Sequence, residues 1–348
     1  MPASDLVFEI GPWLEPYENR LVIRDMIPPQ EFLKAEITPI PKPDADADFA
    51  QDQVLTKENY LEAVKAVISN CRRRNGKTVF SRIIAARNPD LDISDAAETL
   101  FDRFPDTFGF LYYHPSTGCW LGSTPEILLS ADLVHGTFRT MALAGTRPTP
   151  QATSEESGSG EESGSGGRPD KHTVTQPWDE KNIRENNFVV NFFASCFKAI
   201  GLEYTISEPE TVNYGKIQHI CRHIGGRFNS LDPQAIKTII DNINPTPALC
   251  GTPTDDAIRD ITTYEKGSRR CYGGFIAVRT PDRFDAFVNL RSAQIATDGT
   301  GRSLLHAGGG ITPDSVPADE FEESSAKAAT LLSILSPKIP ENSRIRNF

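Results

Sequence analysis

Residues 305–332, "LHAGGGITPDSVPADEFEESSAKAATLL", set three glycines beside a run of acids and one late lysine. A glycine-rich turn at 307–310 opening a helix is the usual form of an anion cradle. The helix expected over about 318–335, however, carries Asp319, Glu320, Glu322 and Glu323 in its first turns, which argues against a bare phosphate. Glu320, Glu323 and Lys327 fall at i, i+3 and i+7 and share one helical face. Such a face is either a self-paired, solvated surface or a hard-cation site, since Mg2+ takes one or two carboxylates and leaves its other positions to substrate and water. A second carboxylate source is Glu185 in "WDEKNIRENNFVVNFF", an acid at a helix start whose other face is apolar. Taken alone, Glu185 is a residue favoured there by the helix dipole.

Three further residues sit oddly for plain structure. Lys77 begins a strand otherwise built of β-branched and small residues, where loss of water lowers a lysine's pKa toward the range of a base. Glu126 lies between a proline turn and a strand in "GSTPEILLS", where burial keeps a carboxyl protonated and able to donate. Arg291 ends the apolar stretch "FVNLRSAQI" and needs an anion there, from the protein or from a ligand. His219 and His223 in "HICRH" have the i, i+4 spacing of a zinc pair, but the segment alternates like a strand and lacks the H-E-x-x-H glutamate, so zinc is not expected.

The elements that must hold these groups follow from periodicity. "KENYLEAVKAVISNCRRRNG" puts Leu61, Val64, Val67, Ile68 and Cys71 on one helical face, with Gly76 as terminator, and "KTVFSRIIAAR" follows as a strand. A helix over 92–104 leads into the strands "TFGFLYYH", "GCWLGST", "EILLSA" and "GTFRTMALAG". Beyond come a helix at "IRENNFVVNFFASCFKAI", two strands across 203–228, helices over 232–242 and 254–266, strands near 273–280, 284–295 and 303–311, and the final helix. Residues 1 to about 50 read as a short strand or two plus loop. Residues 151–170, with a repeated E-E-S-G-S-G and no large apolar side chain, read as a flexible loop inside one domain spanning 1–348. Close strands with helices inserted between groups of them define an α+β class.

The chain's bulk properties narrow the partners. The net charge of −11 opposes nucleic acid and anionic membranes. No apolar run approaches the roughly 20 residues of a membrane span, and the first residues lack the basic and apolar regions of an export signal, so a cytoplasmic location is expected. Six scattered cysteines show no C-x-x-C and read as free thiols.

In order, these segments resemble the chorismate-utilising enzymes: isochorismate, salicylate, anthranilate and aminodeoxychorismate synthases. The resemblance is carried by "KTVFSR", "GSTPEILL", "LAGTR", "EKNIRENNFVV", "IQHI", "PTPALCGTP", "EKGSRRCYGGFIA", "VNLRSAQ" and "HAGGGITPDSVPADEFEESSAK", across about residues 70–335. It implies a single large α+β domain of the anthranilate synthase component I kind, with extensive antiparallel sheet, helices outside and a Mg2+-dependent site in a central cleft. By match of position, Lys77 is the lysine that activates water and Glu126 the acid that protonates the departing hydroxyl. Glu185 and Glu323 match the Mg2+ carboxylates, with Glu320 close by. Arg291, Lys327 and the amides around Gly308 and Gly309 match groups holding substrate carboxylates, and His219, Ala248, Leu249, Tyr272, Gly145 and Thr146 match the substrate pocket.

The resemblance also narrows the reaction. The aminodeoxychorismate synthases carry a nucleophilic lysine in P-I-K-G-T, where this chain reads "LAGT" with Ala144 in the lysine's place. Anthranilate synthases lack the lysine at the position of Lys77. Pyruvate-eliminating members tend to carry Thr or Ser where Ala248 stands, before Leu249. The resemblance therefore implies an isochorismate synthase acting on chorismate as a monomer. A salicylate synthase and a non-catalytic chorismate-binding homologue are the alternatives. Two residues depart from the family pattern: Asn186 follows Glu185 where histidine is usual, and Arg222 stands for a threonine three residues after His219, with consequences for the metal ligand and for that wall of the pocket.

Overall fold

Helix α1 (Lys57–Arg74) shows how the sequence sets its own limits. The Thr56 hydroxyl accepts the Asn59 N–H at 3.2 Å as the N-cap, and Tyr60, Ala63, Val64, Val67, Ile68 and Cys71 form the buried stripe. The helix stops at Asn75, left-handed at φ 52°, and the Gly76 N–H returns to the Cys71 carbonyl at 3.0 Å. The terminator is therefore Asn75, one residue before the expected glycine, and Lys77 follows at once as the first residue of a strand.

The computed structural model describes residues 6–23, 54–149, 177–214, 217–228 and 233–336. The segment read as a flexible loop at 151–170 and most of the Pro- and Asp-rich stretch before 50 lie outside the described residues. Along the chain β1 (Val7–Gly11) and β2 (Leu21–Ile23) precede α1, and β3 (Lys77–Arg87) and α2 (Ile93–Arg103) follow it. Next come β4 (Phe108–His114), β5 (Gly118–Thr124), β6 (Ile127–Asp132) and β7 (Thr137–Pro148). Helix α3 (Glu180–Ala199) leads to β8 (Glu203–Ile206), β9 (Glu210–Tyr214) and β10 (Ile217–Arg227), then to α4 (Pro233–Ile243). The chain continues with β11 (Gly251–Thr252), α5 (Thr254–Tyr264), β12 (Phe275–Arg279), β13 (Arg283–Val288), β14 (Ser292–Ile295), β15 (Arg302–Ile311) and α6 (Pro317–Leu335).

These strands form two sheets, and every described pairing is antiparallel. The larger runs β2-β1-β12-β13-β6-β7-β10-β8, with β9 also on β10, and the smaller runs β11-β3-β15-β14-β5-β4. The expected α+β class holds. Helices α1, α5 and α6 pack on β3 or β15, α2 on β4 and β5, and α3 on β7, β10 and β8. One apolar cluster takes Phe110, Tyr112 and Trp120 from the smaller sheet, Ile10, Leu128, Phe275 and Phe284 from the larger, and Val189, Phe193 and Phe197 from α3. The sheets thus share an interior.

Three expectations are corrected. The stretch 203–228 holds three strands, separated after Ile206 by Ser207, Glu208 and Pro209. The stretch 284–295 is two strands broken at Asn289–Arg291, where Arg291 takes the left-handed φ of 50°. The glycines at 308–310 form no turn: they run inside β15 opposite Ser81, Phe80 and Val79, and none has a positive φ. What their missing side chains provide is room, described below.

The shared core makes α3 a stability element. Phe193, 1% exposed and 5.9 Å from the Phe197 ring, should cost about 3–5 kcal/mol on replacement by alanine. Urea unfolding is expected to show this as a lower midpoint at unchanged slope.

Candidate active site

The cleft lies where the start of β3, the β5–β6 turn, the middle of β7 and β10, the first turns of α3, the glycines of β15 and α6 converge. It is a concave opening of about 690 Å³ of empty space, the part open to solvent included. Glu126, Thr146, Glu185, His219, Ala248, Leu249, Tyr272, Arg291, Gly308, Gly309 and Lys327 line it. Gly145 stands just behind the wall, its carbonyl 3.3 Å from His219 Nδ1. Lys77, Glu323 and Glu320 join the site through ion pairs. The residues matched to the family's catalytic, metal and pocket positions are therefore at this cleft or touching its walls, whereas Arg222 and His223 are not among its lining.

The charges are arranged in pairs. Lys77, wholly buried, places Nζ 3.0 Å from Glu185 Oε1 and has no hydrogen-bond partner of good alignment among the described residues. Lys327 Nζ lies 2.7 Å from Glu323 Oε1 and donates to the Gly308 carbonyl at 3.1 Å. Lys181 Nζ lies 2.9 Å from Glu320 Oε1, while Glu320 Oε2 is buried and has no well-aligned hydrogen-bond partner among the described residues. Burial alone would raise the Glu185 carboxyl, but the charges of Lys77 and Lys327 outweigh it and hold the pKa below the usual carboxylate value. Burial would lower Lys327 in the same way, and Glu323 and Glu185 outweigh it and raise that ammonium. Burial and the Glu323 charge push Glu320 up, with Lys181 opposing.

The glycine strand gives these groups their space. A Cβ on Gly310 would collide with Glu185 Oε1 and stand 2.6 Å from Lys77 Cε. On Gly309 it would stand 2.9 Å from Glu320 Oε2 and 3.2 Å from Glu323 Oε1. The three carboxylates do not all come within 4.8 Å of one another, so they are not one closed ligand set. They are hard oxygen donors at the edge of a cleft, suited to share a cation with a ligand.

Glu126 has a different environment. It is 3% exposed, no hydrogen bond reaches its carboxyl oxygens among the described residues, and burial raises its pKa to about 8 against the opposing charges of Lys77, Arg291 and Lys327. It is a neutral acid in a cationic cleft. Arg291 resolves its two alternatives in part: among the described residues no carboxylate ion-pairs with it. Its Nη2 donates to His219 Nε2 at 3.1 Å, and burial lowers the guanidinium to about 10. Because a guanidinium only donates, His219 Nε2 must accept, which puts the ring proton on Nδ1, facing Gly145 O and Thr146 Oγ1 at 3.3 and 3.1 Å. Burial and the Arg291 charge hold His219 well below its ordinary pKa, so the imidazole is neutral.

Several participants escaped the sequence reading. His306 lines the cleft, its ring stacked between Tyr272 at 4.9 Å and Trp120 at 6.0 Å, and burial lowers its pKa to about 3. Its only signal was position, two residues before the glycines. Arg269, paired with Glu265, donates to the Leu249 and Val79 carbonyls and so fixes two cleft-lining backbones. Lys181 is recognisable only through the fold. Arg222 is not among the residues lining the cleft, contrary to the expected change in that wall, and its Nε is buried without a hydrogen-bond partner among the described residues. His223 pairs with Glu210 at 2.8 Å, away from His219's contacts.

The family description "Chorismate binding enzyme" matches residues 20–336. The chain belongs to the chorismate-binding enzyme family. Isochorismate synthase MenF of Bacillus subtilis is 25% identical over 340 residues, covering 96% of this chain and 67% of that protein. Isochorismate synthase MenF of Haemophilus influenzae is 31% identical over 233 residues, covering 66% of this chain and 49% of that one. The solved MenF of Escherichia coli, described as menaquinone-specific, superposes with a TM-score of 0.70 at 20% identity, covering 96% of this chain and 79% of that one. The chain thus spans about half to two thirds of the curated relatives' length. No helix among the described residues is long and apolar enough to cross a membrane.

The protonated Glu126 has a measurable consequence. The folded protein keeps a proton that the unfolded chain releases between about 4.5 and about 8, so this group's contribution to stability is lost as pH rises through that window. Glu126→Gln should therefore gain Tm relative to the parent as pH rises through it; a pH-independent difference would place the proton elsewhere.

Proposed function

We propose that this chain is an isochorismate synthase, an isomerase that adds water at C2 of chorismate and expels the C4 hydroxyl. The observation that carries the reading is the contrast between two buried groups. Glu126 holds a proton to about pH 8 amid cations, while Lys77 is buried with only Glu185 as ion partner among the described residues. One is placed to give a proton and the other, in its neutral form, to take one. Lys77 removes a proton from water as oxygen bonds to C2, and Glu126 delivers a proton to the leaving oxygen, so hydroxide enters and departs as water.

Arg291 and Lys327 face the cleft as partners for substrate carboxylates, and His219 orients Arg291. Ala144 and Ala248 line the cleft with methyl groups, with no amine for covalent attack and no hydroxyl at 248. Both support water as nucleophile and an intact pyruvyl group in the product. Glu185 and Glu323, with Glu320 Oε2 near them and without a well-aligned hydrogen-bond partner among the described residues, fit Mg2+ by donor chemistry. When bound, the ion would supply the positive charge that lets a dicarboxylate approach these glutamates. The three glutamates and three lysines cancel when all are ionised and Arg291 adds one positive charge, and a divalent cation entering with a dianion leaves that balance unchanged. The relatives named MenF, one of them described as menaquinone-specific, support a role in supplying menaquinone precursors, and we place this chain there as a cytoplasmic, monomeric, single-domain enzyme.

Chromatography of chorismate incubated with Mg2+ should give isochorismate without pyruvate, with or without ammonia. Pyruvate release by the pure protein would overturn the reading in favour of salicylate formation. Lys77→Ala should lower turnover about 10²–10⁴-fold while ligand-induced thermal stabilisation persists; undiminished turnover would remove Lys77 from the chemistry. Glu323→Gln should weaken Mg2+ activation about 10–100-fold, and an unchanged Mg2+ dependence would move the ion elsewhere.

A further inference from the structure

The group that meets substrate carboxylates and the carboxylate that fits the cation stand on different elements, and two asparagines join them. In the β7–β10 pairing the register shifts so that His219 faces Thr146 and Ile220 faces Ala144, leaving Gly145 as an extra, bulged residue at φ 83°. The bulge turns the Gly145 carbonyl and the Thr146 hydroxyl toward His219, which in turn accepts from Arg291. On its other side the bulge meets the first turns of α3. Asn182 Oδ1 accepts the Thr146 N–H at 2.8 Å, and its own amide is held by Asp179 Oδ2 at 2.8 Å. One turn later Asn186, 2% exposed, directs Nδ2 at three carbonyls: Ala142 at 3.0 Å, Ile220 at 3.1 Å and Ala144 at 3.3 Å. Between the two asparagines stands Glu185, 3.0 Å from Lys77.

Asn186 is present for its N–H groups. Among the described residues its Oδ1 has no hydrogen-bond partner, and three carbonyls around Nδ2 exclude the flipped amide. A buried ammonium could also donate there but would bring an unpaired charge beside Glu185 and Lys77. We infer that Asn182 and Asn186 are positioning residues, a neutral amide clamp that fixes Glu185 on α3 in register with the bulge that aims His219 and Arg291. The inference rests on the isochorismate synthase reading for its kinetic arm and on hydrogen bonds alone for its structural arm. Displacements of about 1 Å at such a site can cost about 100-fold in rate, which gives the clamp kinetic leverage beyond helix–sheet packing.

The test uses the full chain with Asn186→Asp, which keeps size but turns a carboxylate toward three carbonyls, Asn186→His, which restores one ring N–H, and Asn182→Ala as the milder variant. Hydrogen exchange of the peptide over residues 141–148 should quicken in Asn186→Asp and Asn182→Ala and return toward the parent in Asn186→His. In parallel, kcat/KM for chorismate should fall about 10–100-fold in Asn186→Asp, with KM rising, and recover largely in Asn186→His. Variants that only lose Tm, with parental exchange at 141–148 and parental kcat and KM per folded molecule, would overturn the clamp. Should Asn186→Asp not fold, parental exchange and kinetics in Asn182→Ala overturn it equally. A parent chain that leaves chorismate unchanged refutes the activity instead, and the exchange measurement still decides the clamp.

Discussion

Gathering three glutamates and three lysines around one cleft, Lys77 and Glu320 buried and the other four half-buried, is the constraint on which the remaining structure depends. An isolated buried charge is costly, so each carboxylate must find its own ammonium at 2.7–3.0 Å. That requirement brings together β3, two helices far apart in sequence, and the strand between them. It also explains why the strand opposite β3 has no side chains at Gly309 and Gly310, where the space a Cβ would take is filled by the glutamates and Lys77; at Gly308 it would meet Phe80 and Ser81 of β3. The glycines therefore act by what they omit. The anion cradle suggested by their composition is replaced by a bare strand floor under paired charges.

Much of this was legible in the sequence, because the residues that do chemistry also broke local patterns. Lys77 at the head of a β-branched strand, Glu126 between a proline and an apolar run, and acids beside glycines each contradict what packing alone would select. The start of α1 was legible from the helical period that begins at Lys57, and its end was expected one residue late, at Gly76 rather than Asn75. The break at Asn289–Arg291 was not legible, since "FVNLRSAQI" contains neither glycine nor proline, and the left-handed conformation falls on an arginine. The glycine run was misassigned because glycine's tolerance for positive φ is its commonest use, whereas here it serves close approach in ordinary extended backbone. Lys181 was hidden for another reason: its partner Glu320 lies 139 residues away, and no local spacing encodes that; Arg269 has a local partner in Glu265, but its carbonyl acceptor at Val79 lies 190 residues away.

The site also divides its groups by how they are held. Arg291 and Glu126 keep unspent capacity, one as an arginine without a carboxylate and the other as a carboxyl without a hydrogen bond. His219, Gly145, Thr146 and the α3 asparagines are satisfied with one another and supply rigidity. A cleft that leaves its reactive groups underused while saturating the scaffold behind them is preorganised for a charged ligand.

The ring stack of Tyr272, His306 and Trp120 has an optical consequence. Trp120, wholly buried, reaches the cleft through the single imidazole of His306, whose other face meets Tyr272 at the cleft wall. Protonated imidazoles quench indole emission, but a ring whose pKa is lowered to about 3 stays neutral under working conditions. Emission from Trp120 would therefore respond to a ligand that displaces Tyr272 or His306, against the background of Trp13 and Trp178.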